Sequence, residues 1–290
     1  MTAPYARRAI NLTFKMGTGS FGGSGFNTIT HQGLRVIFDS EWSNTPSQPK
    51  AIIRVYGLTL SEMNELTKAG LFYTARRDLV QVDAGDVGGP MTTVFVGTIN
   101  EAYPDLHEMP DSAFMITAIG GGEHNLKPVQ PVTFSGSVPF ATAMQRILAP
   151  TGLTLENNGV NAVFASPYFP GTAMAQINRA VRAADCYACI DTLTNTVATW
   201  PKKNGSRGGN VPVISQQTGM IGYPEFERNY IRVRALFSGE RFKGPGRKIQ
   251  VQSDLKAANG TWNVINADLH LASELDGGPW EVMIRAWPVS

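Results

Sequence analysis

Three glycines near the start of the chain have the spacing of a dinucleotide site. Gly17-Thr-Gly-Ser-Phe-Gly22 follows an alternating segment, and Asp39 falls near the distance at which such sites carry a ribose-binding acid. That chemistry needs a helix N-terminus to receive the pyrophosphate. Here Gly23, Ser24 and Gly25 come next, then the β-prone run Phe26 to Thr30, so a mobile hairpin or inter-subunit loop is expected and not a cofactor cradle. Cys186-Tyr-Ala-Cys189 has the spacing of a redox pair. A low thiol pKa in that motif comes largely from the start of a helix, whereas this pair leaves a helix and enters a strand, which predicts two buried structural thiols. Zinc would need two further ligands, yet His31, His107, His124 and His270 sit singly in separate segments.

The remaining catalytic signals fail on context. His107-Glu108 begins like a zinc-protease helix, but Pro110 breaks a helix and Asp111 stands where the second histidine belongs. No nucleophile elbow and no phosphate-binding Walker sequence occurs, since Gly239 to Gly244 is followed by Pro245 and not by lysine. The pairs Glu225 with Glu227 and Glu274 with Asp276 could do acid and base work in a glycosidase, and solvated turns explain them as well. Lys202, Lys203 and Arg207 lie in a glycine-rich loop, and Arg241, Lys243, Arg247 and Lys248 surround a hairpin tip. With only Phe242 beside them they make no stacking platform for single strands, and read as solvated loops or a contact for an acidic protein. The expectation is therefore no catalytic residue, no cofactor, no metal and no small-molecule substrate.

Composition agrees. Hydrophobic residues make up 42% and charged residues 17% of the 290, and 30 glycines suit a turn-rich β protein. With 25 basic against 23 acidic residues, the net charge of +2 makes no global case for nucleic-acid binding. A chain longer than roughly 250 residues is expected to divide into two or three domains. Met1 to Phe14 lacks the apolar core of a secretory signal, no run approaches the ~18 apolar residues of a membrane span, and two cysteines favour a reducing compartment at synthesis.

The elements are legible in outline. Period-two alternation marks strands at Ala9 to Met16, Leu34 to Asp39, Ala51 to Tyr56, Leu79 to Asp83, Thr93 to Asn100 and Ala113 to Ile119, about enough to close a small barrel. Thr59 with Glu62 forms a capping box for a helix that Gly70 ends. From 129 to 208 the pattern changes: Ser137 with Pro139 opens a helix through Ala149, and Thr172 caps another through Ala184. Short strands lie near Leu153 to Leu155, Tyr187 to Asp191 and Val197 to Trp200, and Pro201 to Gly209 reads as a flexible connector.

Further strands follow at Tyr230 to Phe237, Lys248 to Ser253, Thr261 to Asp268 and Trp280 to Trp287. In the last, Trp280, Val282, Ile284 and Ala286 alternate with Glu281, Met283, Arg285 and Trp287, so both faces carry bulky contact surface. Such a strand implies that part of the sheet is covered by another domain or another copy. Interface anchors are commonly Trp, Tyr and Arg, which singles out Trp262, Trp280, Trp287, Tyr230 and Arg232 for inter-domain or inter-subunit contact.

Ala51-Ile-Ile-Arg-Val-Tyr-Gly-Leu58 running into the helix from Ser61, then Asp78 to Gly85 and Thr93 to Asn100, resembles the first tube domain of baseplate hub proteins from contractile-tailed bacteriophages. The block Gly171 to Cys186, Val197 to Pro201 and Ser215 to Pro224 is similar to that family too. Ile231 to Phe237, Ile249 to Ser253, Gly260 to Val264 and Trp280 to Trp287 resemble its second tube domain. The resemblance implies a mainly β protein: tube-type β-barrel or sandwich domains over 1–128 and 209–290, flanking a small α+β domain over 129–208. It implies a structural virion protein of the tail baseplate, made in the host cytoplasm, and not an enzyme. Three copies would form a homotrimeric ring between the sixfold tail tube protein and the threefold central spike protein, touching other baseplate proteins and passing DNA through its lumen without specific binding. A distal tail or tube-initiator protein, or a tail-associated cell-wall hydrolase, are the alternatives.

Overall fold

Alternating apolar residues bury one side of a strand and leave the other half-exposed. In β1 (Arg8–Lys15), Ile10, Leu12 and Phe14 are buried while Asn11 and Thr13 are half-buried. A computed structural model describes residues 6–23, 25–44, 48–67, 78–107, 111–126, 128–239 and 244–289 of the chain. β2 (Thr28–His31), β3 (Arg35–Ser43), β4 (Lys50–Tyr56), α1 (Leu60–Leu66), β5 (Leu79–Asp86), β6 (Met91–Asp105) and β7 (Ala113–Ile119) complete the first part, and the strands lie in the order β3-β4-β7-β6-β5-β1-β2. The capping box forms as read: Thr59 Oγ1 accepts from the Glu62 N–H, and the Glu62 carboxylate accepts from the Thr59 N–H. Described helix ends at Leu66 with Thr67 as cap, and Gly70 lies outside the described residues.

The central part holds β8 (Val132–Thr133), β9 (Ser137–Pro139), α2 (Phe140–Leu148), β10 (Thr154–Asn157), β11 (Val163–Ala165), β12 (Tyr168–Phe169), α3 (Ala173–Ala183), β13 (Cys186–Asp191) and β14 (Thr196–Pro201). Thr172 caps α3 as expected. Pro139 caps α2 and Ala149 closes it as expected, while Ser137 takes no part in the cap: Ser137 to Pro139 pair with β11, and the first helical residue is Phe140, whose N–H donates to the Ala162 carbonyl. Phe140, Met144, Ile147, Ile177 and Val181 build a core of their own with Ile190 and Val197.

The last part comprises β15 (Val213–Ile214), β16 (Met220–Glu227), β17 (Tyr230–Leu236), β18 (Lys248–Val251), β19 (Gly260–Ser273) and β20 (Trp280–Pro288). β19 is long enough to serve two partners on one side. Gly260 to Asn263 pair with β18, a bulge follows between Val264 and Asn266, and Asn266 to Ser273 pair antiparallel with Ser43 to Val36 of β3. The first and last parts therefore share one sheet of 13 strands. They also share one core, in which Phe38, Phe95 and Phe114 join Val233, Leu269 and Ile284. Side chains carry the start of β1 back toward β19 and β20: the Arg7 guanidinium pairs with Glu274, and that of Arg8 lies 5.3 Å from the centre of the Trp280 ring.

Candidate functional site

The strands decide how the five candidate anchors are used. Trp262 on β19 is 8% exposed and its indole N–H donates to the Ala258 carbonyl at 2.9 Å. Trp280, 7% exposed, sits edge-on to Phe237. Both belong to the chain's own core. Trp287 points to the opposite face of β20 and packs at 5.7 Å against Tyr187 of β13. Tyr230 bonds to Glu227, and Arg232 reaches Glu225 at 3.0 Å and Glu227 at 3.3 Å.

Tyr230 and Arg232 thus meet Glu225 and Glu227 on the hairpin that ends the sheet. One arginine between two carboxylates is an ion-pair cluster, with both acids engaged by Arg232. β16 is the outermost strand, yet Gly222 with φ 69° and Pro224 fall in a register shift between Ile221 and Glu225. Proline and a bulge blunt an edge against further backbone pairing. What this edge offers is side chains, with Tyr223 and Phe226 more than half exposed.

The glycine loop is already occupied by the chain's own acids. The Gly17 N–H donates to Asp78 Oδ1 and the Gly22 N–H to Glu65 Oε1, both at 2.9 Å, and β2 follows where a nucleotide site has a helix. Cys186 and Cys189 are free, buried thiols. Burial pushes Cys186 up to about 11 and Cys189 up to about 12. Both stay protonated at neutral pH, so the folded protein is expected to react with a disulfide reagent such as DTNB only after denaturant is added. Rapid labelling of two thiols in buffer would contradict this. Among the described residues no group of three His, Cys, Asp or Glu could hold a metal ion. Glu108 and Pro110 of the protease-like run lie outside the described residues.

Arg207 corrects the reading of its loop as solvated and flexible. It is 3% exposed, and its guanidinium donates to Glu156 at 2.6 and 2.9 Å, to Asp191 at 2.9 Å and to Cys189 Sγ at 3.5 Å. Burial alone would lower its pKa, but the bond to Glu156 and the neighbouring negative charges raise it above the ordinary arginine value. Its backbone N–H bonds to the Gly246 carbonyl, and Arg247 reaches back to the Gly208 carbonyl. This segment is pinned between the central part and the sheet. Lys202 pairs with Asp185, while Arg241, Phe242 and Lys243 lie outside the described residues.

One face of the shared sheet is polar across the junction. Arg234, Arg285, Asp268, His270, Asp39 and Glu41 follow one another over β17, β20, β19 and β3, where the buried side chains alternate to the other face. His270 Nδ1 and Asp39 Oδ1 are 2.8 Å apart, and the carboxyl of Asp268 is held above its usual range by burial first and by Glu41 second. A shallow cavity of about 550 Å³ crosses the β3–β19 junction here. Its lining sets Ile52, 48% exposed, and Met283 beside these charges.

The sequence matches the family model described as baseplate hub gp41 over residues 9–277. The chain belongs to this baseplate hub family. It is a structural component of the phage tail, and so of the virion. The fold of this hub chain is similar to that of a tail protein from Neisseria meningitidis MC58, with a TM-score of 0.63 at 9% identity over 96% of each chain. The 43 kDa tail protein of prophage MuSo2 from Shewanella oneidensis gives 0.61 at 12%, covering 97% of this chain and 96% of that one. The E. coli c3393 protein, a component of the type VI secretion system, gives 0.61 at 8%, covering 96% and 77%. Identities this low carry the fold alone. No curated protein matches the sequence.

Proposed function

We propose that three copies of this chain close into a ring that adapts the sixfold tail tube to the threefold spike. One observation carries the reading: each chain presents two half-sheets, β3-β4-β7-β6-β5-β1 and β15-β18-β19-β20-β17-β16, joined at the β3–β19 ladder. Three chains then supply six half-units to the tube and three equivalent faces to the spike. Residues 1–128 and 209–290 act as the two tube-type domains and 129–208 as the α+β domain between them. The polar face of the sheet suits a water-filled lumen through which DNA passes without specific binding, since Arg232 and Arg234 on it are already paired with Glu225, Glu227 and Glu281. Tyr230, Arg232, Tyr223 and Phe226 meet the neighbouring copy, while Trp262 and Trp280 brace the domain behind them.

The ring works by shape. It needs no cofactor, metal or small-molecule substrate, and it assembles in the host cytoplasm with tube, spike and other baseplate proteins. Size-exclusion chromatography with light scattering is expected to give three times the 31.4 kDa chain mass, alone or once spike or tube protein is added. A chain that stays monomeric in all those mixtures overturns the reading. A sixfold ring by electron microscopy would make it a tube initiator, and a clearing zone on purified peptidoglycan would make it a hydrolase.

A further inference from the structure

The ladder that joins the two halves of the sheet sets two acids face to face. In the β3–β19 register Glu41 stands directly opposite Asp268, and two residues further on Asp39 stands opposite His270. Directly opposed residues of an antiparallel pair hold their Cβ atoms about 4.5–5.5 Å apart, a distance at which like charges destabilise the pair. Asp268 is only partly exposed, and its Oδ1 is buried with no hydrogen-bond partner among the described residues. A carboxylate oxygen shut away from water without a donor is costly while the group is charged. The neighbouring cations are placed elsewhere. Arg285 on β20 lies opposite Asn266, Lys50 on β4 stands on the far side of Glu41, Arg234 on β17 is bound to Glu281, and His270 lies 2.8 Å from Asp39.

We propose that this seam is a proton-operated joint: ionised Asp268 loosens it at neutral pH, and a proton taken from water by the Asp268 carboxylate tightens it. Burial first and Glu41 second hold that carboxyl above its ordinary value of 3.8, outweighing Arg285 and His270. A group raised in this way subtracts stability at neutral pH and returns it as pH falls through the folded value toward the ordinary one. The cavity of about 550 Å³ lined by Asp39, Glu41, Asp268 and His270 is the route by which the carboxyl meets solvent. On its other face the same ladder is closed by Phe38, Leu269 and Leu271, all fully buried, so the proton adjusts the joint and does not create it. The joint belongs to one chain and is independent of the ring.

Hydrogen exchange of the full chain, read by mass spectrometry on peptides covering 36–43 and 266–273, tests it. Comparing native and variant chains at each pH cancels the intrinsic exchange rate and every other titration the two share. Asp268→Asn keeps the size of the side chain and is expected to slow exchange of this ladder about fivefold at neutral pH. That gain is expected to narrow as pH falls toward 3.8, where the native carboxyl is protonated too. Made in a Glu41→Gln background, Asp268→Asn is expected to gain less, because the repulsion needs both charges. Peptides of the β1–β5 ladder are expected to exchange alike in all of these chains. Faster exchange of Asp268→Asn at neutral pH, a gain that does not change with pH, an equal gain in the Glu41→Gln background, or the same change at β1–β5 overturns the proposal.

Discussion

Replacing Phe38 by alanine is expected to cost about 3–5 kcal/mol of stability, measured by urea unfolding. Phe38 is fully buried on β3, opposite Leu271 of β19 and Ile53 of β4, with its ring 6.2 Å from that of Phe95. The alanine would leave a cavity where the two halves of the sheet meet. Because domain stabilities are about 5–15 kcal/mol, a loss of this size threatens the joint between the two halves of the sheet. Val163→Ala, at a side chain 64% exposed, is expected to change stability by no more than about 0.5 kcal/mol. Equal effects from the two would mean that the junction is not a packed core.

Arg207→Ala is expected to be nearly as damaging, at about 3 kcal/mol, because it strands Glu156 and Asp191 beside a buried Cys189. That figure sits at the low end for a broken buried pair because the acids keep 29% and 13% of their side-chain surface. Adding Glu156→Gln and Asp191→Asn is expected to recover part of the loss, as neutral amides tolerate the absence of the guanidinium. The cluster also predicts a pH signature. Burial pushes the Glu156 carboxyl up, but the bond to Arg207 and its charge bring it below its ordinary value of 4.5. A depressed carboxyl contributes stability that is present above the ordinary value and lost as pH falls through the folded one. The native chain should therefore lose stability on acidification through the region below 4.5, and Arg207→Ala should lose less. An unchanged acid slope in the variant would remove Arg207 from that role.

Local chemistry was legible wherever it was enough to specify structure. Alternation located β1, β4, β5 and β7 to within a few residues, because a half-buried strand requires period two, and the Thr59–Glu62 capping box is complete within four residues. Strand lengths were less legible. β6 runs past Pro104 to Asp105 and β19 extends to Ser273, since a strand is prolonged by the partner it finds and bulges absorb the irregular residues. β16 went unread because Gly222 and Pro224 break its pattern, and an edge strand tolerates both. The chemistry-like motifs differ from working sites in their neighbours along the chain: the glycine run leads into β2 and the cysteine pair follows α3, so neither has the helix dipole such sites need.

Reading along the chain was enough for the mainly β class, for the two helices of the central part, and, through the order of several short motifs, for the baseplate hub family. Those properties depend on neighbours along the chain. Only the tertiary structure decided that β3 and β19, more than 200 residues apart, make one sheet of the two ends, that Arg207 is a buried clamp and not a loop charge, and that Trp287 faces Tyr187 while Trp262 and Trp280 turn inward. Each of these rests on partners distant in sequence, and the pairing of distant segments is set by the joint burial of their apolar faces, a property no local window contains.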